Sequence, residues 1–127
     1  MKFQPERLEG VNAIAAYTPS SVTVSSGAQA TVWSSSVVVP FQGDIVAWPC
    51  ARFDDLAEGH FEALLALQPE LVVIGCGAQH RFVSPRLMRA LIQQGIGVEC
   101  MDTPAACRTY NILVSEHRRV VAALLIG

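Results

Sequence analysis

Residues 71–101 read LVVIGCGAQHRFVSPRLMRALIQQGIGVECM. Leu71, Val72, Val73 and Ile74 form an unbroken apolar run, the pattern of a strand buried on both faces. Gly75-Cys76-Gly77 ends it. Ser84-Pro85 then offers a capping hydroxyl followed by a proline suited to the first helical position. Leu87, Met88, Leu91 and Ile92 follow at helical spacing, and Gly95 stands where a left-handed residue closes a helix. Residues 96–101 are a second strand. Strand, helix and strand fill about 30 residues, the length of a parallel crossover, and such crossovers are right-handed.

Working outward, the chain changes character near residue 50. Before it no helical period exists. Residues 13–17, 21–24, 30–33, 36–39 and 45–48 are short β-branched or aromatic runs, predicted as strands. Thr18-Pro19-Ser20-Ser21, Ser25-Ser26-Gly27 and Gln42-Gly43-Asp44 separate them as turns, so the first half is expected to be a run of antiparallel hairpins. After residue 50, Asp54 and Asp55 open an expected helix with Ala57, Phe61, Leu64 and Leu65 on its apolar stripe. Thr103-Pro104 opens another, with Ala106, Tyr110 and Leu113 facing the core, and residues 120–126 are the last strand. With no linker, repeat or low-complexity segment, residues 1–127 are expected to be one domain, β-rich over 1–50 and α/β over 51–127.

The 127 residues are 51% apolar, enough for a core without covalent staples. Nine Lys and Arg against 11 Asp and Glu give a net charge of -2, and the basic residues are scattered. That pattern speaks against nucleic acid or an anionic membrane surface. No apolar run approaches the roughly 20 residues of a membrane span. The N-terminal MKFQPERLEGVN has no apolar core of the signal-peptide kind. Cys50, Cys76, Cys100 and Cys107 form no CxxC and no zinc spacing, so they are read as reduced thiols in a cytoplasmic setting.

Three candidate sites remain. Gly75-Cys76-Gly77 sits at the carboxyl end of a strand, where open α/β sheets bind ligands, and Glu99 or Asp102 falls where a dinucleotide fold places its ribose contact. His80 takes the place of the third glycine, however, and the next helix begins too late to meet an anion there. Cys76, near His80 and Arg81, would need a cation to lower its pKa before it could act as a nucleophile. On the third helix, Pro104, Arg108, Asn111 and Ser115 share one stripe. Arg108 and Asn111 could bind a carboxylate, a phosphate or a carbonyl. A solvated helix face, or Arg108 paired with Asp102 or Glu99, is the plainer account. His60 and His117 are isolated on helices and are read as satisfied or exposed.

The stretch LQPELVVIGCGAQHRFVSPRLMRALIQQGIGVECMDTPAACRTYNILVSEHRRVVAALLIG resembles a small family of domains of unknown function, the MTH-type α/β domain. Gly75, Gly77, Arg81-Phe82, Asp102-Thr103, Ala105-Ala106 and Arg108-Thr109-Tyr110-Asn111 carry the resemblance. The first half matches more loosely, through its β-rich start and Trp48-Pro49. The family includes uncharacterised bacterial proteins, a mitochondrial respiratory complex I assembly factor and an adipogenesis-associated protein. The resemblance implies an α/β fold of three layers: a central mixed sheet flanked by helices, with an additional β-hairpin layer from the N-terminal half. It adds weight to Arg108, Thr109 and Asn111, and it counts against Cys76 as a nucleophile. A role in complex I assembly belongs to one branch and reaches this chain only by analogy.

The residues favour a non-enzymatic module that binds a protein or a small anionic molecule, and the resemblance implies that it is assembly-factor-like. Its expected rim is Gly75, Gly77, Arg81, Asp102, Thr103, Arg108, Thr109 and Asn111. No catalytic residue, metal ligand or cofactor is assigned. The alternative is a small-molecule enzyme or anion binder, with Arg108 holding the anion beside Cys76 or Asp102. A weakly self-associating homo-oligomer is the third reading.

Overall fold

Alternation along three neighbouring strands organises the molecule. A computed structural model describes residues 10–126. The expectation about a signal peptide rests mainly on residues 1–9, which lie outside that range. In β4 (Val37–Pro40), β6 (Leu71–Gly75) and β8 (Val120–Leu124), residues of one parity join one core and those of the other parity join a second. Val37, Val39, Leu71, Val73, Val120, Ala122 and Leu124 face one side. Val38, Val72, Ile74, Val121 and Ala123 face the other. All of these are buried. Strands apolar at every position can be satisfied only in the middle of a layered structure.

The central sheet has the order β5-β4-β8-β6-β7, with β5 at Val46–Ala47 and β7 at Gly97–Met101. β6 runs parallel to both β7 and β8, while β4 pairs antiparallel with β8 and β5, so the sheet is mixed. A second, three-stranded antiparallel sheet of β1 (Asn12–Thr18), β2 (Ser21–Ser26) and β3 (Gln29–Trp33) contributes Ile14, Val22 and Val24 to the first core. It covers one face of the central sheet together with a long helix, Thr103–Ser115. Two short helices, α1 (Glu58–Glu62) and α2 (Arg89–Gln93), cover the other, where Phe61, Leu64 and Leu91 are buried. The long helix is α3. The result is the three-layer α/β domain with a hairpin layer.

Four details depart from the sequence-based expectation, each for a local reason. The hairpin run is broken between β3 and β4, because β4 crosses into the central sheet and pairs with β8, while its antiparallel pairing with β5 is as expected. The helix expected from Asp54 is broken into a 3-10 turn (Phe53–Asp55), α1 and a second 3-10 segment (Ala63–Leu67). Leu56 between them is extended, with ψ at 133°, and Ala57 is exposed with its N–H donated to His60 Nδ1 at 3.0 Å. Ser84-Pro85 opens only a turn, with Leu87 N–H on Ser84 O and Met88 N–H on Pro85 O. The helix proper starts at Arg89, and Ile92 is half exposed rather than buried. Gly95 does close it in the left-handed region, at φ 74°. Finally, Asp102, not Thr103, caps α3: its Oδ1 accepts the Ala105 N–H at 2.8 Å.

The inner face of α3 carries Ala106, Cys107, Tyr110 and Val114, all buried. Tyr110 reaches two backbone carbonyls, Asn12 O at 2.9 Å and Pro40 O at 3.0 Å, and so ties the hairpin sheet to β4. Among the described residues no helix is long and apolar enough to cross a membrane. All four cysteines are free thiols. Burial pushes the Cys107 thiol up to about 12, while the unfolded thiol ionises near 8.5. Between these values the unfolded chain holds fewer protons than the folded one, so stability falls as pH rises. Cys107 thus contributes stability that is complete below about pH 8.5 and is lost toward about pH 12. Urea unfolding followed from pH 8 to 11 is expected to show this decline, at most about 1.4 kcal/mol per pH unit from this group. Cys107→Ala should flatten it measurably.

Candidate functional site

The turn after β6 is held by its own neighbours. Cys76 N–H donates to Met101 O at 2.7 Å, and Gly77 N–H donates to Thr103 Oγ1 at 2.9 Å. Gly75 O accepts the Leu125 N–H at 2.9 Å, and Gly77 O accepts the Thr103 N–H at 2.8 Å. Thr103 Oγ1 in turn donates to Leu125 O at 2.6 Å. One buried hydroxyl therefore links the ends of β6 and β8 to the start of α3. The glycines have distinct reasons. A Cβ on Gly75 would lie 2.7 Å from Thr103 Oγ1 and 2.9 Å from Leu124 Cδ2. Gly77 has φ of 100°, a left-handed conformation that side chains resist. With the Cys76 and Gly77 N–H groups already donated inside the chain, the turn is not built as a phosphate cradle.

Cys76 is buried, and that burial pushes its thiol above the ordinary value despite its contact with Arg81 O at 3.6 Å. A nucleophilic thiol needs the opposite shift. Asp102 spends a carboxylate oxygen as the α3 cap. Arg81 turns to the α1 side, with its guanidinium 4.1 Å from the Phe53 ring centre and 3.2 Å from Asp54 Oδ1. Thr109 lies over β7, its hydroxyl 3.3 Å from Met101 Sδ.

Arg108 pairs with neither Asp102 nor Glu99. It is exposed and donates from Nη1 to Tyr17 Oη at 2.7 Å. Asn111, half-buried, is not on a solvated face. Its amide donates to Ile14 O at 2.8 Å and its Oδ1 accepts the Ile14 N–H at 2.9 Å. β1 is the edge of the hairpin sheet, and its register shifts between Ile14 and Ala16. The carboxamide takes the place of a neighbouring strand's peptide group at that bulge. His60 is satisfied by the Ala57 N–H and Pro49 O.

Between the hairpin layer and the central sheet lies a cleft of about 280 Å³. Tyr17, Thr18, Pro19 and Val22 form one wall. The other wall comes from the ends of β6, β8 and α3, including Gly77, Thr103, Leu125 and Ile126. Of the residues expected at a rim, Gly77 and Thr103 line this cleft, Gly75 packs beneath Thr103, and Arg108 approaches through Tyr17. Arg81 and Thr109 are elsewhere. The hairpin wall was missed from sequence because Thr18-Pro19 reads only as a turn. The one available signal was Tyr17, a large aromatic residue immediately before it.

Residues 14–125 match the family described as a protein of unknown function (DUF498/DUF598). Over 83 residues the chain is 40% identical to bovine (Bos taurus) NADH dehydrogenase (ubiquinone) 1 alpha subcomplex assembly factor 3, covering 64% of this chain and 45% of that protein. The chain thus spans about half the length of the curated relatives it matches first. Among solved structures, a crystal structure of a Bordetella parapertussis protein superposes with a TM-score of 0.86 at 34% identity, covering 95% of this chain and all of that one. A solution structure from Bordetella pertussis, described as a Mth938-like domain, gives 0.76 at 29% identity, with 98% and 92% covered.

Two substitutions test the frame of the cleft. Thr103→Val keeps the shape and strips both hydrogen bonds, and is expected to cost about 1–3 kcal/mol in urea unfolding, with Thr103→Ser recovering most of it. Asn111→Ala leaves the Ile14 backbone groups without their partner. It should cost a similar amount, about 1–3 kcal/mol, and should selectively accelerate hydrogen exchange at the Ile14 amide.

Proposed function

The chain belongs to the family described as a protein of unknown function (DUF498/DUF598), and from that premise we propose that it is a protein-binding, assembly-factor-like module. Its docking point in this proposal is the cleft beside α3. The observation that carries the proposal is an apolar cleft framed by polar groups that already bond to one another. A partner's side chain entering it would displace water without stranding a buried donor or acceptor. The size also argues for this use. About 280 Å³ lies just under the roughly 300–1,000 Å³ of ordinary small-molecule pockets, and it suits one or two anchoring side chains of the kind that dominate protein interfaces. The relatives named as assembly factors support a protein as the partner.

In this proposal Gly77 and Thr103 form the floor, Arg108 offers a donor at the rim through its place on Tyr17, and Asp102 and Asn111 hold the frame. The partner is a subunit met before it joins a larger complex. The alternative, an anion held by Arg108 while Cys76 or Asp102 does chemistry, has less support. The Cys76 thiol is buried and pushed up, and the Asp102 carboxylate caps a helix.

A photo-crosslinking residue at Thr18, on the cleft wall, and one at Gln94, at the far end of the sheet, would test the proposal in the native cell. A discrete adduct from position 18, absent from position 94 and reduced in the Arg108→Ala background, is the expected result. Equal adducts from both positions would count against the cleft. A small anion that raises Tm in the parent but not in Arg108→Ala would replace this proposal with the ligand-binding one.

A further inference from the structure

The central sheet ends on β7, and no strand of the described residues pairs with its outer edge. Two hydrogen bonds set the parity of that edge. Gly97 N–H donates to Glu70 O at 3.3 Å, and Met101 O accepts the Cys76 N–H at 2.7 Å. In a parallel ladder alternate residues turn both peptide groups toward the same neighbour. Gly97, Glu99 and Met101 therefore face β6, and the N–H and C=O groups of Val98 and Cys100 point away from the sheet.

The side chains alternate across the faces. Glu99 pairs in register with Val73, which belongs to the α3-side core, so Gly97, Glu99 and Met101 lie on the α3 face. There they line an open groove with Thr109, Leu113 and Arg118. Ile112, 60% exposed, lies between Leu113 and Asn111 on the same helix. Arg118 is engaged by Glu70 at 3.1 Å, whereas Glu99 makes no ion pair among the described residues. The edge thus combines outward peptide groups, a groove in which Leu71, Met101 and Leu113 alternate with polar groups, and one uncompensated carboxylate.

We propose that the β7 edge accepts an added strand from a partner protein, an extended segment with a lysine or arginine opposite Glu99 and apolar residues beside it. Main-chain bonds to Val98 and Cys100 supply register and affinity, and the groove selects alternate side chains. The charge decides the occupant. A second copy paired antiparallel about Glu99 would oppose two carboxylates, which is unfavourable, and a charged residue on an edge is a known guard against self-pairing. A basic strand turns the same residue into an attraction. This surface is distinct from the cleft, and the proposal stands or falls separately from it.

The probe is a fluorescent acetyl-Thr-Val-Lys-Val-Leu-Val-Thr-amide peptide, with a glutamate in place of its lysine as the control. Fluorescence anisotropy is expected to show saturable binding of the lysine peptide and weaker binding of the control. Glu99→Lys should weaken the lysine peptide about fivefold and reverse the preference. Val98→Pro removes one outward N–H without touching the β6 ladder, a place where an edge strand tolerates proline. It should reduce binding about tenfold or more with the circular dichroism unchanged. Should Val98→Pro not fold, the Glu99→Lys charge swap decides alone. No saturable binding of the lysine peptide at millimolar concentration overturns the proposal, as does binding indifferent to Glu99→Lys. A dimer in sedimentation that the neutral Glu99→Gln strengthens or Val98→Pro dissolves also overturns it, and would assign the edge to a second copy.

Discussion

Two adjacent side chains on α3, Tyr110 and Asn111, hold the molecule's layers together. Each hydrogen-bonds to the backbone of β1 across nearly 100 residues of sequence, Tyr110 to Asn12 O and Asn111 to both polar groups of Ile14. Tyr110 reaches Pro40 O as well, and Asn12 donates from its own side chain to Pro40 O and Gly43 O. The hairpin sheet supplies only Ile14, Val22 and Val24 as fully buried core residues. Apolar contact alone would leave its placement loosely specified, because hydrophobic attraction has no direction. Hydrogen bonds to particular peptide groups are directional, and they set how β1 lies along α3. The cleft follows from that placement, since one of its walls is the β1–β2 turn.

The glycine turn illustrates how a sequence that suggests ligand chemistry can be devoted to structure. Its N–H groups do not wait for an anion. They are consumed by Met101 O and Thr103 Oγ1, and Thr103 passes the connection on to Leu125. Gly75 has no side chain because Thr103 and Leu124 occupy the space. The same economy appears at Asp102, whose carboxylate is a helix cap. Polar groups satisfied in this way leave a largely apolar lining in the cleft.

The motif stripe on α3 shows where sequence logic reached its limit. Spacing placed Arg108 and Asn111 on one side of the helix, and both do project from it. Spacing alone made that side solvent, whereas the hairpin sheet folds back onto it and gives Asn111 a half-buried role. The broken helix near residue 56 failed for a different reason. Ala57, Phe61 and Leu64 suit a helical stripe, but burial of Trp48 and Phe61, with ring centres 6.0 Å apart, governs that segment more strongly than periodicity. Ile92 reads as core by spacing and is half exposed because α2 spans only Arg89–Gln93.

By itself the sequence determined the elements whose residues leave no choice. The uninterrupted apolar runs of β6 and β8 had to lie between two layers, Gly95 had to end a helix, and Pro104 had to sit in the first turn of one. It also determined the strand–helix–strand unit and the hairpin character of residues 12–33, because local propensity and turn chemistry act over a few neighbours. Only the tertiary structure decided that β4 leaves the hairpins for β8, that Arg108 meets Tyr17, and that no strand of the described residues pairs with the outer edge of β7. These depend on contacts between residues far apart in the chain. Their energies come from burial and from matched donors and acceptors, and neither is expressed in the periodicity of any single segment.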